Sequence, residues 1–186
     1  MKKTIIILAL LVAAVALGYA YEQVSIALQK RAHPLHFEEY VMRYSRERNI
    51  PPEIIFSVIK AESSFRSDAV SPRGARGLMQ MMPATFDWLQ TLMGEEHAHG
   101  MLFDPATNIR YGTFYLRHLF DMFGDWNLTL AAYNAGQGRV RNEWMQNPDI
   151  VRDGVLIIEA VPYDETRNYL IRVNRSIEMY RRLYFP

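Results

Sequence analysis

A glutamate set among aliphatic residues is the first feature of this chain that could do chemistry. Ile54, Ile55, Val58, Ile59 and Glu62 recur at three- and four-residue spacing after the break Asn49-Ile50-Pro51-Pro52, so they share one face of a helix that proline opens. Glutamate is rarely buried without a partner or a task. Among apolar side chains its carboxyl favours the neutral form, and its pKa rises until it can donate a proton near neutral pH. The competing reading is an exposed ion pair with Arg66, four residues on, in the orientation that stabilises helices. The helix alone leaves both open.

Three later clusters bear on that choice. Residues 71–77 read SPRGARG, too irregular for a helix, and lead into Gly77-Leu78-Met79-Gln80, Met81, Met82 and Pro83. Glycines let backbone approach a ligand closely, and methionines make adaptable apolar contacts suited to sugar faces. Equally, methionines at a helix entry fill core. Residues 132–136 read AYNAG: Tyr133 and Asn134 offer hydrogen bonds to a polyhydroxylated ligand or to a carboxyl group, or merely end a helix. In PYDETRNY at 162–169, Asp164 or Thr166 has the side chain to cap a final helix.

Taken in order, Glu62-Ser63, GLMQ at 77–80, AYNAG at 132–136 and ETRNY at 165–169 resemble the soluble-lytic-transglycosylase (SLT) catalytic domain. That domain is a goose-lysozyme-like member of the lysozyme superfamily, and the resemblance extends over residues 37–184. It implies that Glu62 is both acid and base, that Ser71 contacts the reacting sugar, and that Gln80 and Met82 line a glycan groove. By the same token Tyr133 and Asn134 stand beside the acid, the Tyr169 hydroxyl approaches it, and Ser63 and Glu165 organise the site. Arg73 departs from the pattern, since some relatives carry a second serine there.

The reaction implied is cleavage of the MurNAc–GlcNAc β-1,4 bond of peptidoglycan without water, leaving a 1,6-anhydro end and needing neither metal nor cofactor. Glycosidases ordinarily use two carboxyl groups. No second acid here has a matching motif, and Asp68, the nearest in sequence, lies in a loop. A lysozyme-type hydrolase would share the groove, and a non-catalytic glycan-binding assembly subunit would share the motifs.

The elements that must position these residues are helices. Phe37, Tyr40, Val41 and Tyr44 recur with helical period; Pro83 and Pro105 sit where helices begin, Gly94 and Gly124 where they end. Asn127 is placed to cap a helix through Tyr133, which Gly136 and Gly138 interrupt. A long helix over 164–184 carries Tyr169, Leu170, Val173, Ile177 and Tyr180. Val155–Ile158 is the best strand candidate. The expected fold is mainly α: a lysozyme-like helical catalytic domain at 37–186, a stalk at 23–36, and one N-terminal transmembrane or signal helix at 1–22.

That first segment sets the compartment. Lys2 and Lys3 precede an apolar run from Thr4 to Tyr21, closed by Glu22. Roughly 18 such residues just span a bilayer core, and the basic flank stays inside, so the rest faces outward. The alternative is a cleaved signal peptide with Gly18-Tyr19-Ala20 as its small-residue site. Either way the domain is exported, to the periplasmic face of the inner membrane or to the periplasm. Its expected partners are peptidoglycan strands and the inner membrane, with any wall or secretion-machinery proteins unidentified.

Composition agrees. With 49% hydrophobic residues a core is easily built, and 21 basic against 20 acidic residues give no electrostatic reason to expect nucleic acid. The absence of cysteine excludes disulfides, thiol catalysis, cysteine–zinc sites and a lipid-bearing cysteine. Glu95–Gly100 (EEHAHG) reads as an added surface loop; His97 and His99 could hold a metal, but no further ligands are evident and a solvated loop is the simpler reading.

Overall fold

The computed structural model describes residues 2–186; Met1 and the side chains of residues 2–5, 8 and 9, including the Lys2-Lys3 flank, lie outside the described part. The chain divides into two compact units, the residues up to Pro34 and Leu35–Phe185.

In the first unit, α1 (Lys2–Ala32) is a single helix of 31 residues, about 46 Å long at 1.5 Å per residue. The segment read as a stalk is therefore helical as far as Ala32. VSIALQKRA at 24–32 contains neither glycine nor proline, so nothing interrupts the helix until Pro34 restricts the residue before it. Leu10–Ala32 is long and apolar enough to cross a membrane, and none of it is buried.

The second unit is built from α2 (Glu38–Arg48), α3 (Pro52–Ser63), α4 (Pro83–Met93), α5 (Pro105–Phe123), α6 (Trp126–Ala135), the short α7 (Gln137–Arg139) and α8 (Asp164–Tyr184). Helix α7 runs on into a wide turn over Val140–Trp144. The only sheet among the described residues is a two-stranded hairpin, β1 (Val151–Arg152) and β2 (Val155–Leu156), pairing Val151 with Leu156. Val155 thus starts a strand as expected, but Ile158 already belongs to a short 3-10 turn.

Helix α3 packs along α8, and α5 packs on α2 and α6. Ile55, Val58, Ile59, Leu170, Val173 and Tyr180 are fully buried between them. Each such side chain contributes about 1.5–3 kcal/mol by leaving water. A smaller apolar cluster of Met81, Phe86, Leu89, Leu102 and Tyr111 supports the loop before α4.

Proline and glycine do set the helix limits: α4 and α5 begin on Pro83 and Pro105, and Gly94 and Gly124 close them in left-handed conformation. Capping is less as the sequence suggests. Asp125, not Asn127, caps α6 by accepting from the Leu128 amide at 2.8 Å, while Asn127 accepts from Asn174 at 2.8 Å. Neither Asp164 nor Thr166 caps α8; Tyr163 holds that position with no side-chain bond.

The exit from α3 matters most. Ser64 and Phe65 take left-handed φ of 51° and 64°, costing about 1–2 kcal/mol each. The Phe65 ring packs against the core and edge-on to His36, 5.6 Å away, which holds the turn in place. The chain therefore leaves the helix directly after Glu62-Ser63.

Candidate active site

The early end of α3 decides between the two readings of Glu62. Arg66 is no longer one turn on from it; its Nε donates to the Ser63 carbonyl at 3.3 Å, and no ion pair joins it to Glu62 among the described residues. The Glu62 carboxyl instead faces a cleft of about 630 Å³. Ser71, Gln80, Met82, Tyr133, Asn134 and Glu165 line the same cleft. Residues from the ends of α3, α6 and α8 and from the 71–82 loop are thus brought together. Ser63 and Tyr169 are not in the lining: Ser63 is buried, its Oγ donating to the Ile59 carbonyl one turn back at 3.1 Å.

Burial pushes the Glu62 carboxyl up to about 7, from an ordinary value of 4.5. The Tyr169 hydroxyl and the Arg172 guanidinium pull the other way, and the Glu165 carboxylate adds to the rise. Tyr169 is itself buried, and among the described residues its hydroxyl makes no hydrogen bond. Its nearness to Glu62 still favours the carboxylate, while burial first and the Glu62 charge second hold the phenol well above its usual range. Glu165, the other cleft carboxylate, is 68% exposed and 3.5 Å from Arg73, itself 81% exposed. Asp68 is exposed and outside the lining. Among the described residues the cleft offers one carboxyl group poised to exchange a proton near neutrality.

Tyr133 does not bond to Glu62. Its hydroxyl donates to the Met79 carbonyl at 2.7 Å, tying α6 to the 71–82 loop. That loop is braced from within. The Ser71 amide donates to the Ala75 carbonyl at 2.9 Å, and the Ser71 hydroxyl accepts from the Ala75 amide at 3.0 Å. The Gln80 amide group donates to the carbonyls of Ala69 and Gly77 at 3.2 and 2.9 Å, and Gln80 itself has φ 47°. Asn134 makes none of these bonds, and its side chain faces the cleft.

Sequence reasoning missed Asn108. Fully buried on α5, it accepts from the Met79 amide at 2.7 Å and donates to the carbonyls of Arg76 and Leu102 at 3.0 and 2.7 Å. It fixes the backbone whose Met79 carbonyl holds Tyr133. The one available signal is a polar residue on the buried face of an amphipathic helix.

Three residues of the EEHAHG segment are tied down by their side chains. Glu95 pairs with Arg110 and accepts from the Tyr111 hydroxyl at 2.7 Å, while His97 lies 3.4 Å from Glu95 and His99 2.7 Å from Asp87. No group of three or more His, Asp or Glu residues that could hold a metal occurs among the described residues.

The model of the transglycosylase SLT domain matches residues 39–151. The chain belongs to that family. Its relatives include the soluble lytic murein transglycosylase of Escherichia coli K12, 36% identical over 151 residues, 80% of this chain and 23% of the relative. Membrane-bound lytic murein transglycosylase C of Shigella sonnei is 32% identical over 176 residues, 83% of this chain and 48% of the relative. The crystal structure of the 70 kDa soluble lytic transglycosylase of Escherichia coli superposes with a TM-score of 0.75 at 33% identity, covering 83% of this chain and 25% of that one. An inactive Glu-to-Gln mutant of lytic transglycosylase Slt from Pseudomonas aeruginosa gives 0.74 at 34%, with the same coverage. This SLT-family chain thus spans between about a quarter and a half of the length of these relatives, and the part of it that superposes on the solved structures shares their fold.

Proposed function

We propose that this chain is a peptidoglycan lytic transglycosylase, with Glu62 as its one acid and base. The observation that carries the reading is a desolvated carboxyl at about 7 in a cleft whose other carboxylate is exposed. The murein transglycosylase relatives support the substrate. Protonated Glu62 gives its proton to the leaving glycosidic oxygen as the C1–O bond breaks. The N-acetyl group of the muramic acid residue stabilises positive charge at the anomeric carbon. Ionised Glu62 then removes the proton from that residue's own C6 hydroxyl, and the C6 oxygen bonds to C1, closing the 1,6-anhydro ring. The nucleophile is intramolecular, so neither a water nor a second carboxyl group is required. Ser71, Gln80, Met82, Tyr133 and Asn134 bind and orient the strand; Tyr169, Ser63 and Glu165 act on it through Glu62 and its surroundings.

Mass spectrometry of products from purified sacculi tests this across pH. Anhydro-ended muropeptides are expected, released at a rate that falls as pH rises through about 7, because the first step needs Glu62 protonated. Reducing-end products alone would make the enzyme a hydrolase.

Helix α1 supports a second proposal: it anchors the catalytic unit, residues 37–186, to the inner membrane with that unit on the periplasmic side. Fractionation should place the full-length chain in the membrane fraction, extractable by detergent and not by salt. A soluble species beginning near Tyr21 would show a cleaved signal instead.

A further inference from the structure

A cavity of about 490 Å³ lies at the far end of two helices that build the catalytic cleft. Helices α3 and α6 each carry a cleft residue in their last turn, Glu62 and Asn134, and each begins at this cavity, with Pro52 and Trp126. The helical rise from Pro52 to Glu62 separates the two sites by about 15 Å. One wall of the cavity is aromatic. The Phe120 and Trp126 rings stack with centroids 4.3 Å apart, and the Arg117 guanidinium, paired with Asp121, lies 5.0 Å from the Phe120 centroid. Trp126 is half-buried and packs on the core, so its indole is held still while it lines the cavity. The facing turn is polar and equally fixed. Asn49 ends α2 with φ 51°, its amide held by the Ser45 and Arg46 carbonyls, and the buried Ser45 hydroxyl donates to the Ile50 carbonyl at 2.6 Å. Yet among the described residues the Asn49 side-chain amide and the Trp126 indole N–H make no hydrogen bond, and Arg46 makes no ion pair.

A fixed indole beside uncommitted amide and guanidinium groups is the complement of a pyranose ring. The C–H groups on one face of the sugar meet the electron-rich ring face, and its hydroxyls and N-acetyl amide take the hydrogen bonds that Asn49 and Arg46 offer. With Arg117 already neutralised by Asp121, the cavity holds little net charge to select an anion. Its volume lies within the range of about 300–1,000 Å³ usual for small-ligand sites. We propose that this cavity is a second, non-catalytic glycan site, which holds one strand of peptidoglycan while Glu62 acts on another. The proposal rests on the transglycosylase reading and adds a hold on the polymer to it. A cross-linked wall presents the same sugars to both sites at high local concentration, so a weak second contact multiplies the overall affinity.

The test compares kcat and KM of the full-length detergent-solubilised protein on insoluble sacculi with those on short soluble strands, whose turnover depends on the cleft alone. Trp126→Ala should raise KM on sacculi by about fivefold to tenfold, the scale of one aromatic contact, with a far smaller change on the short strands. Trp126 also packs on the core, so Asn49→Gly is the second variant and decides the matter if the first does not fold. Glycine accepts the φ of 51° at that position, and only the side-chain amide is lost, for an expected rise of about threefold to tenfold on sacculi. Circular dichroism checks folding of both. A folded variant that keeps the wild-type KM on sacculi would overturn the proposal. So would one that slows both substrates equally, which would mean that the change acts through the cleft. Failure of the wild type on both substrates would instead bring down the transglycosylase reading, and this proposal with it.

Discussion

Glu62→Gln should lower the release of anhydro-ended muropeptides from purified sacculi by about 10³–10⁴-fold, the upper end for loss of general acid–base assistance. The amide is nearly isosteric, so Gln80, Met82, Tyr133 and Asn134 keep their places around it, but it neither gives nor takes the proton that both steps need. Nothing in the cleft can substitute, since Glu165 is exposed and paired with Arg73. The same change has a signature in stability. A carboxyl whose folded pKa is raised from 4.5 to about 7 binds more protons folded than unfolded, so it makes the fold less stable as pH rises through that interval. Relative to wild type, the variant should gain thermal stability from about pH 4.5 upward, with the difference complete above about 7, and should show none in acid. Near-wild-type release by a folded Glu62→Gln protein would remove the mechanism. A loss of activity accompanied by lower stability at pH 8 would mean that Glu62 serves the fold, not the chemistry.

How much of this was legible in the sequence depended on whether a feature writes itself in local residue types. Helix limits did, because Pro83, Pro105, Gly94 and Gly124 constrain φ at single positions. The face that carries Glu62 did, because Val58 and Ile59 repeat with the helical period. The turn that frees Glu62 from Arg66 did not. It uses left-handed Ser64 and Phe65, where sequence gives no glycine, and is held by Phe65 packing on the core. Bonds to backbone carbonyls were equally hidden. Tyr133 reaches Met79, 54 residues away, where the motif suggested Glu62, and Ser63 turns back on Ile59. A carbonyl acceptor is the same at every position, so only the folded chain says which one is used. Helix α1 extended past its expected end for a plainer reason: the residues after Glu22 are ordinary helix formers.

Gly77→Ala should be the most damaging single methyl group in the loop that builds the cleft wall. Gly77 has φ 76°, and a Cβ there would overlap the Leu102 carbonyl oxygen and the Asn108 side-chain amide. The substitution therefore adds dihedral strain of about 1–2 kcal/mol and dislodges the group that satisfies the Met79 amide and the Arg76 and Leu102 carbonyls. Leaving one buried donor or acceptor unpaired costs about 1–3 kcal/mol, so a total loss of about 3–4 kcal/mol is expected, lowering Tm by about 10 °C for a domain of this size. Gly74→Ala is the matched control: Gly74 also has positive φ, 86°, but nothing lies within 4 Å of its added Cβ, so it should lose only the dihedral part. Activity should separate the two further. Met79 carries the carbonyl that holds Tyr133, and Gln80 lines the cleft, so Gly77→Ala should be slow even at temperatures where it is folded, whereas Gly74→Ala should stay within a few-fold of wild type. Equal melting temperatures for the two variants would show that close packing of Gly77 against Asn108 does not hold this loop, and the positioning role of Asn108 would fall with it.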